Sequence, residues 1–385
     1  MIATSQNELA IESVCRKLQL DDTREKILST AFSSVTQWLE DDPDFWGRED
    51  QDILLYAYGS RDIGTVVKPK SHEEYDVDFV IQTDYDHLLF TPEDFRLKLF
   101  NRLREHATYR DKISLIRFGV RINYEGQLHM DVMPACFLPG SSRLVAPDCK
   151  KGSWVPRNLK GYSSWFKAKF VHDLRMLPLY EHYRSRGFII EARAETEALP
   201  AAVPFVAVQP LQKAVQLIKR HRNIHFENDT DSATSSIILT TLAGEYYDSS
   251  FSTIQAVDKI LKLLLHERIQ CKVSGRKLRV YNPADSAVHL RDKELLSSKW
   301  EEPDGQKLYA AFWSFVESMN TEWTKLQLAR TKAEKGIILK GLFGETIGNE
   351  VLEDRSVWGL DQGSGVVYDM PHVKRTAAKT SPWQK

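Results

Sequence analysis

Residues 74–82 read Glu74-Tyr75-Asp76-Val77-Asp78-Phe79-Val80-Ile81-Gln82, an alternation of acidic and apolar side chains. In a strand, alternate side chains share a face, so Asp76 and Asp78 point one way while Val77 and Phe79 point into a core. Two neighbouring carboxylates repel each other and stay ionised comfortably when a cation lies between them. Hard divalent cations, magnesium above all, favour such oxygen ligands. An Asp-x-Asp pair alone is equally the acidic outer face of a half-exposed strand, so its reading depends on what surrounds it.

Upstream, the apolar run Ile53-Leu54-Leu55-Tyr56-Ala57 leads into Tyr58-Gly59-Ser60, and Gly64-Thr65 follows shortly. Glycine lets a backbone approach a phosphate, and a serine hydroxyl with neighbouring N–H groups binds its oxygens. Downstream, Leu128-His129-Met130-Asp131-Val132-Met133-Pro134 alternates so that His129, Asp131 and Met133 share a face. Asp131 is then a third acid, on a strand able to pair beside the first, and Pro134 and Gly140 close that strand. Three carboxylates and a phosphate-binding loop suit two-metal phosphoryl transfer, with ions about 3.5–4 Å apart. The work is then positioning and charge neutralisation. Asp76 and Asp78 are expected to hold the ion that bridges a triphosphate. Asp131 is expected to help hold a second ion, which lowers the pKa of an attacking ribose hydroxyl.

The remaining sequence supplies a scaffold. Ile27, Ala31, Val35 and Leu39 predict a helix over about 23–39, with Asp22 and Glu25 as its capping pair. Thr91-Pro92-Glu93-Asp94 is a helix start with a cap, a proline at the first position and acids in the first turn. That helix should end near Ala107. Strands are expected at about 113–123 and 128–137, with Glu125-Gly126 as the turn between them. The order helix–strand–strand–helix–strand–strand describes an α+β palm, and 139–160 read as an extended excursion. From Gly161 onward the periodicity is mainly helical, through 211–222, 234–247 and 252–267, with 191–204 as a connector. The expected division is a palm lobe over 1–160, whose N-terminal helix wraps toward the second lobe, a helical lobe over 161–362 and a tail over 363–385. No internal repeat or heptad array is visible.

Composition narrows the class. The chain has 385 residues, 42% hydrophobic and 27% charged, ordinary for a globular protein with a real core. A formal net charge of −1 gives no global positive field that would advertise a nucleic-acid partner. The four cysteines, Cys15, Cys136, Cys149 and Cys271, form no Cys-x-x-Cys pair, which argues against a zinc ribbon and a disulfide scaffold. No apolar run approaches the roughly 20 residues that span a bilayer, and the N-terminus lacks a signal-peptide pattern. A cytoplasmic location without membrane contact is expected.

The combined motifs resemble the DNA polymerase β-type nucleotidyltransferase superfamily and, within it, the cGAS/DncV-like nucleotidyltransferases. The matching segments are Tyr58-Gly59-Ser60-Arg61-Asp62-Ile63-Gly64-Thr65 with Pro69, Glu74 to Val80, and His129-Met130-Asp131-Val132-Met133-Pro134. They continue with Trp154 to Tyr162, Leu217-Ile218-Lys219-Arg220-His221-Arg222, Ser235 to Thr241, and Arg279 to Asp285, in the family's order. The resemblance implies an α+β fold: a polymerase β-like palm, a mixed sheet with helices, joined to a helical C-terminal lobe with the active site in the cleft between them. It implies synthesis of a cyclic di- or trinucleotide from nucleoside triphosphates, ATP or GTP, with release of pyrophosphate. Magnesium, or manganese in its place, would be the metal, and anti-phage signalling the context. The alternative within enzymes is transfer of a single nucleotide to an RNA or protein acceptor; a catalytically dead binding module is a further class, although all three carboxylates are present.

Residue by residue, the resemblance places Asp76, Asp78 and Asp131 on the metals, and Gly59, Ser60 and Thr65 on phosphate. Lys219 matches the helical-lobe lysine that contacts the donor triphosphate, and Ser236 the serine beside it, with Ser235 as its competitor. Ile237 stands where some animal relatives carry a base-stacking aromatic, which leaves Tyr281 and Tyr162 as stacking candidates or as packing residues. Leu159 stands where many bacterial members carry proline. Arg117 and Arg121 border the cleft or are surface charges. No Cys/His insertion is present, so neither zinc nor a nucleic-acid activator is expected. Some members of the family need accessory proteins or a bound ligand, and some are modified at the C-terminus; the tail ending Pro382-Trp383-Gln384-Lys385 would be the attachment arm or a segment docked on the body.

Overall fold

Along the Asp-x-Asp strand, burial alternates as the sequence pattern requires: Tyr75, Val77, Phe79 and Ile81 are buried, whereas Asp76 is exposed and Asp78 half-buried. The computed structural model describes residues 5–41, 54–70, 74–83, 85–124, 126, 128–138, 143–170, 199, 205–250, 252–285 and 293–359. Within these, one sheet contains β1 (Leu54–Ala57), β2 (Tyr75–Thr83), β3 (Ile113–Ile116), β4 (Gly119–Tyr124), β5 (Leu128–Phe137), β6 (Leu144–Asp148) and β7 (Ser153–Arg157). The spatial order is β1-β2-β5-β4-β3, and β6 joins the end of β5 with β7 beyond it. All pairings are antiparallel except β2 with β5, which is parallel.

Two expectations change. The run 113–123 is not one strand but the hairpin β3–β4, which turns at Arg117-Phe118. Gly119 opens β4 so close to β5 that a Cβ there would run into the Val132 carbonyl, which only a glycine tolerates. The stretch 139–160 is likewise more than an excursion, because 144–157 forms the antiparallel pair β6–β7. Gly152, with φ 62°, makes its turn.

Helices α1 (Gln6–Lys17), α2 (Asp22–Glu40) and α3 (Pro92–Glu105) belong to the first half of the chain. Helix α1 is an addition to the elements expected from periodicity, and Ser5 and Glu8 form a reciprocal capping box at its start. The cap of α2 is Asp21, whose carboxylate accepts from Arg24 N, one residue ahead of the expected Asp22. Thr91 caps α3 as expected. Phe32 and Val35 of α2 and Leu99 and Leu103 of α3 cover Val77, Phe79, Ile81, Val120, Ile122 and Val132 on one face of the sheet. The opposite face carries Asp76 and Asp78 and then turns apolar, with Val80, Met133 and Ala135 packed against Tyr56, Leu144 and Ala146.

The later helices are α4 (Leu159–Ala168), α5 (Pro210–His225), α6 (Ser236–Tyr246), α7 (Thr253–Ser274), α8 (Gly305–Leu328), α9 (Lys332–Phe343), α10 (Glu345–Glu353) and α11 (Arg355–Trp358). They share a second core built on Phe312, Phe315, Trp323 and Phe343. Helix α1 packs in this second core through Ala10, Ile11 and Val14, and Ser13 Oγ donates to Asp354 Oδ2 at 2.6 Å. The tail 363–385 and, apart from Leu199, the connector 191–204 lie outside the described residues. Among the described residues, no helix is long and apolar enough to cross a membrane.

Phe79 is fully buried beneath Phe32, with ring centroids 4.9 Å apart. Phe79→Ala is expected to lower unfolding free energy by about 3–5 kcal/mol, measured by denaturant titration.

Candidate active site

The first element of the site is the turn that ends β1. Tyr58 N donates to Asp78 O at 3.0 Å, and Gly59 follows with φ 64°, the left-handed region. A Cβ at Gly59 would lie 3.1 Å from Asp78 Oδ2, so both the backbone angle and the space call for glycine. The loop then coils on itself: Ile63 N donates to Gly59 O at 3.2 Å and Thr65 N to Ser60 O at 2.8 Å. The Gly-Ser loop is thereby laid directly against the Asp-x-Asp carboxylate.

Parallel pairing of β2 with β5 sets Asp78 opposite Asp131 and Asp76 opposite His129, and β4 sets Arg121 opposite Asp131. Burial, then the charges of Asp131 and Asp76, push the Asp78 carboxyl up to about 7. Arg121 answers that charge: Nε and Nη2 fork onto Asp131 at 2.7 and 2.8 Å, and Nη2 lies 3.5 Å from Asp76 Oδ1. The hydrogen bond to Asp131 holds Arg121 still more firmly protonated. His129 bridges Asp76, at 3.2 Å from Nδ1, to Glu74 on its other nitrogen.

Among the described residues, no three His, Cys, Asp or Glu side chains converge as a formed metal centre. The physical reason is visible: Asp131 faces the Arg121 fork and Asp76 faces His129. The donor set still suits a hard divalent cation, because it is carboxylate oxygen and because a bound positive charge would offset the burial and the neighbouring charges that raise Asp78. Of the two arginines left open by the sequence, Arg121 borders the acid cluster, while Arg117 forks onto Asp148 at 2.8 and 2.6 Å.

Helix α5 delivers Lys219 to the same place. Its ammonium is buried and donates to Thr65 Oγ1 at 3.1 Å and Thr65 O at 3.2 Å. Burial brings Lys219 down to about 7, opposed by the nearby Asp78 charge. Ser235 is the N-cap residue of α6 and Ser236 its first residue. Arg222 Nε ties this helix start to α5 by donating to Thr234 O at 3.0 Å. Gly59, Ser60, Thr65, Asp76, Asp78, Asp131 and Lys219 thus come together, while Ser235 and Ser236 sit at the α6 start that Arg222 ties to α5. Tyr162 is not available for stacking on a base, since it is 5% exposed and its hydroxyl bonds Thr241 Oγ1 at 2.9 Å. Tyr281 is half-buried in an isolated bridge with Leu295. Leu159 simply opens α4 behind the Asn158 cap.

An α+β nucleotidyltransferase is the class that this sheet and its helices define, and comparison with known proteins narrows it. The chain is 31% identical over 391 residues to a c-di-GMP synthase of Roseivirga ehrenbergii, a match that covers 99% of this chain and 98% of the relative. It is 27% identical over 199 residues to the cyclic dinucleotide synthase CdnG of Bradyrhizobium diazoefficiens, covering 49% of this chain and 47% of that protein. The structure of the Bradyrhizobium diazoefficiens CdnG in complex with GTP superposes with a TM-score of 0.69 at 19% identity, over 91% of this chain and 99% of that one. No family model matches the chain. The chain belongs to the cGAS/DncV-like nucleotidyltransferases. It is an enzyme of that family, a transferase that joins nucleoside triphosphates into a cyclic oligonucleotide.

Arg121→Gln removes the counter-charge of three carboxylates. The variant is expected to melt at a lower temperature without metal and to show a larger upward shift on adding magnesium or manganese chloride, read by thermal denaturation with and without the salt.

Proposed function

We propose that the chain condenses two molecules of GTP into c-di-GMP on the acid face of the sheet. The observation that carries this is the Gly59 loop laid against Asp78, so close that a Cβ on Gly59 would lie 3.1 Å from Asp78 Oδ2, which would bring a triphosphate held by the loop onto the carboxylates. The choice of GTP is supported by the Roseivirga ehrenbergii relative, named a c-di-GMP synthase, and by the CdnG structure with GTP.

In this reading Gly59, Ser60 and Thr65 cradle phosphate oxygens, and Lys219 with Ser236, or its neighbour Ser235, contacts the donor triphosphate from the helical side. Asp76 and Asp78 would hold one magnesium ion and Asp131 would help hold another, with manganese as a substitute. When bound, the ions neutralise phosphate charge and favour ionisation of the attacking hydroxyl. Arg121 forks onto both Asp131 oxygens, so a cation that Asp131 helped to hold would share that carboxylate with the guanidinium. A ribose hydroxyl of one nucleotide loses its proton and its oxygen bonds to the α-phosphorus of the other, the bond from that phosphorus to the α–β bridging oxygen breaks, and pyrophosphate leaves. A second such step closes the ring. The chain would divide at about residue 160 into a palm lobe and a helical lobe, act in the cytoplasm, and signal in anti-phage defence, with accessory proteins or conjugation of the tail as means of control.

The test is incubation of the purified chain with each labelled nucleoside triphosphate, singly and mixed, with magnesium or manganese. GTP alone should give a phosphatase-resistant product with the mass of c-di-GMP. A product that needs a second nucleotide overturns the choice of GTP, and label found only on linear or macromolecular products overturns cyclisation. Asp76→Asn with Asp78→Asn should lower the rate on the order of a thousandfold while circular dichroism stays unchanged.

A further inference from the structure

Helix α5 touches the Gly-Ser loop through more than Lys219. Gln212, Gln216, Lys219 and Arg220 lie at spacings of four, three and one, which places them along one side of the helix. All four are buried. Each donates to a backbone carbonyl of the segment 63–68. Gln212 Nε2 reaches Ile63 O at 2.9 Å, Gln216 Nε2 reaches Val66 O at 2.7 Å, Lys219 Nζ reaches Thr65 O at 3.2 Å, and an Arg220 nitrogen reaches Lys68 O at 2.7 Å.

The two amides are themselves oriented. Gln212 Oε1 accepts from Gln209 N at 2.8 Å, and Gln216 Oε1 accepts from Gln19 Nε2 at 3.0 Å. Each amide nitrogen is therefore the end turned to the loop. Gly64, with φ 67°, leaves room for this, since a Cβ there would collide with Gln212 Nε2. Buried polar groups are kept at a site only when their partners are fixed, because a donor left unmatched away from water is costly. Four such donors spent on one short loop define its position relative to the helix.

We infer that Gln212, Gln216 and Arg220 are positioning residues for the triphosphate loop: they touch no substrate, and they set where Gly59 to Thr65 lie over Asp78. The inference rests on the proposal that this loop holds the triphosphate. It makes α5 the element that registers the loop against the carboxylates, with Lys219 as the one member of the row that also faces the acid cluster.

Two readouts test it. In the unaltered chain, backbone amides of Ile63 and Thr65 should exchange hydrogen as slowly as the buried turns of α5; rapid exchange there beside a protected α5 overturns the grip. In Gln216→Leu and Arg220→Met, KM for the nucleoside triphosphate should rise about fivefold to tenfold, the scale of one lost buried hydrogen bond, with exchange accelerated at 63–68 but not in α7. Arg220→Lys, which keeps a donor for Lys68 O, should recover most of the loss. A fall in activity that follows the melting temperature with KM unchanged would mean a merely structural role and overturn the inference. It would leave the proposed reaction standing, whereas absence of any nucleotide product from the unaltered chain would remove the reaction and not the exchange result.

Discussion

The parallel pairing of β2 with β5 is the constraint from which the rest follows. It sets Asp78 opposite Asp131, one interstrand spacing apart, with Asp76 two residues away on the same face. Apolar burial fixes this register, because a slip of one residue would turn Val77, Phe79, Met130 and Val132 out of the core and the acids into it. The hydrophobic face thus pays for the electrostatic repulsion on the other. Burial first, and then the charges of Asp131 and Asp76, raise the Asp78 carboxyl pKa, and Arg121, delivered by the neighbouring β4, is the chain's own countermeasure.

The same logic explains the loop. A backbone segment close to carboxylates must be narrow, which Gly59 satisfies, and must be held from behind, which the donors of α5 satisfy. The site therefore depends on both cores at once. The sheet core positions the acids, and the helical core, which also takes in α1, positions the loop and Lys219.

Much of this was legible in the chain. Alternation gave β2 and β5 and the shared face of Asp76 and Asp78, and capping residues gave α2 and α3 to within a few residues. The hairpin at Arg117-Phe118 was not legible, because its turn carries no Asn-Gly or Gly-Gly signal and the apolar pattern runs through it. The pair β6–β7 was hidden by its Pro, Gly and Ser content, which reads as a loop until a neighbouring strand supplies its hydrogen bonds. Helix α1 carries its signal in the Ser5 and Glu8 capping box.

By itself, then, the sequence determined which residues carry charge, which faces are apolar, and the order in which the motifs come, since these depend on local spacing alone. Only tertiary structure decided that Arg121 rather than Arg117 meets the acids, that Tyr162 is a core residue, and that Gln212, Gln216 and Arg220 grip the loop. Each of those facts pairs residues far apart in the chain, such as Gln216 with Val66 or Tyr162 with Thr241. Hydrogen bonds of that kind are set by where packed elements end up, and local periodicity carries no record of it.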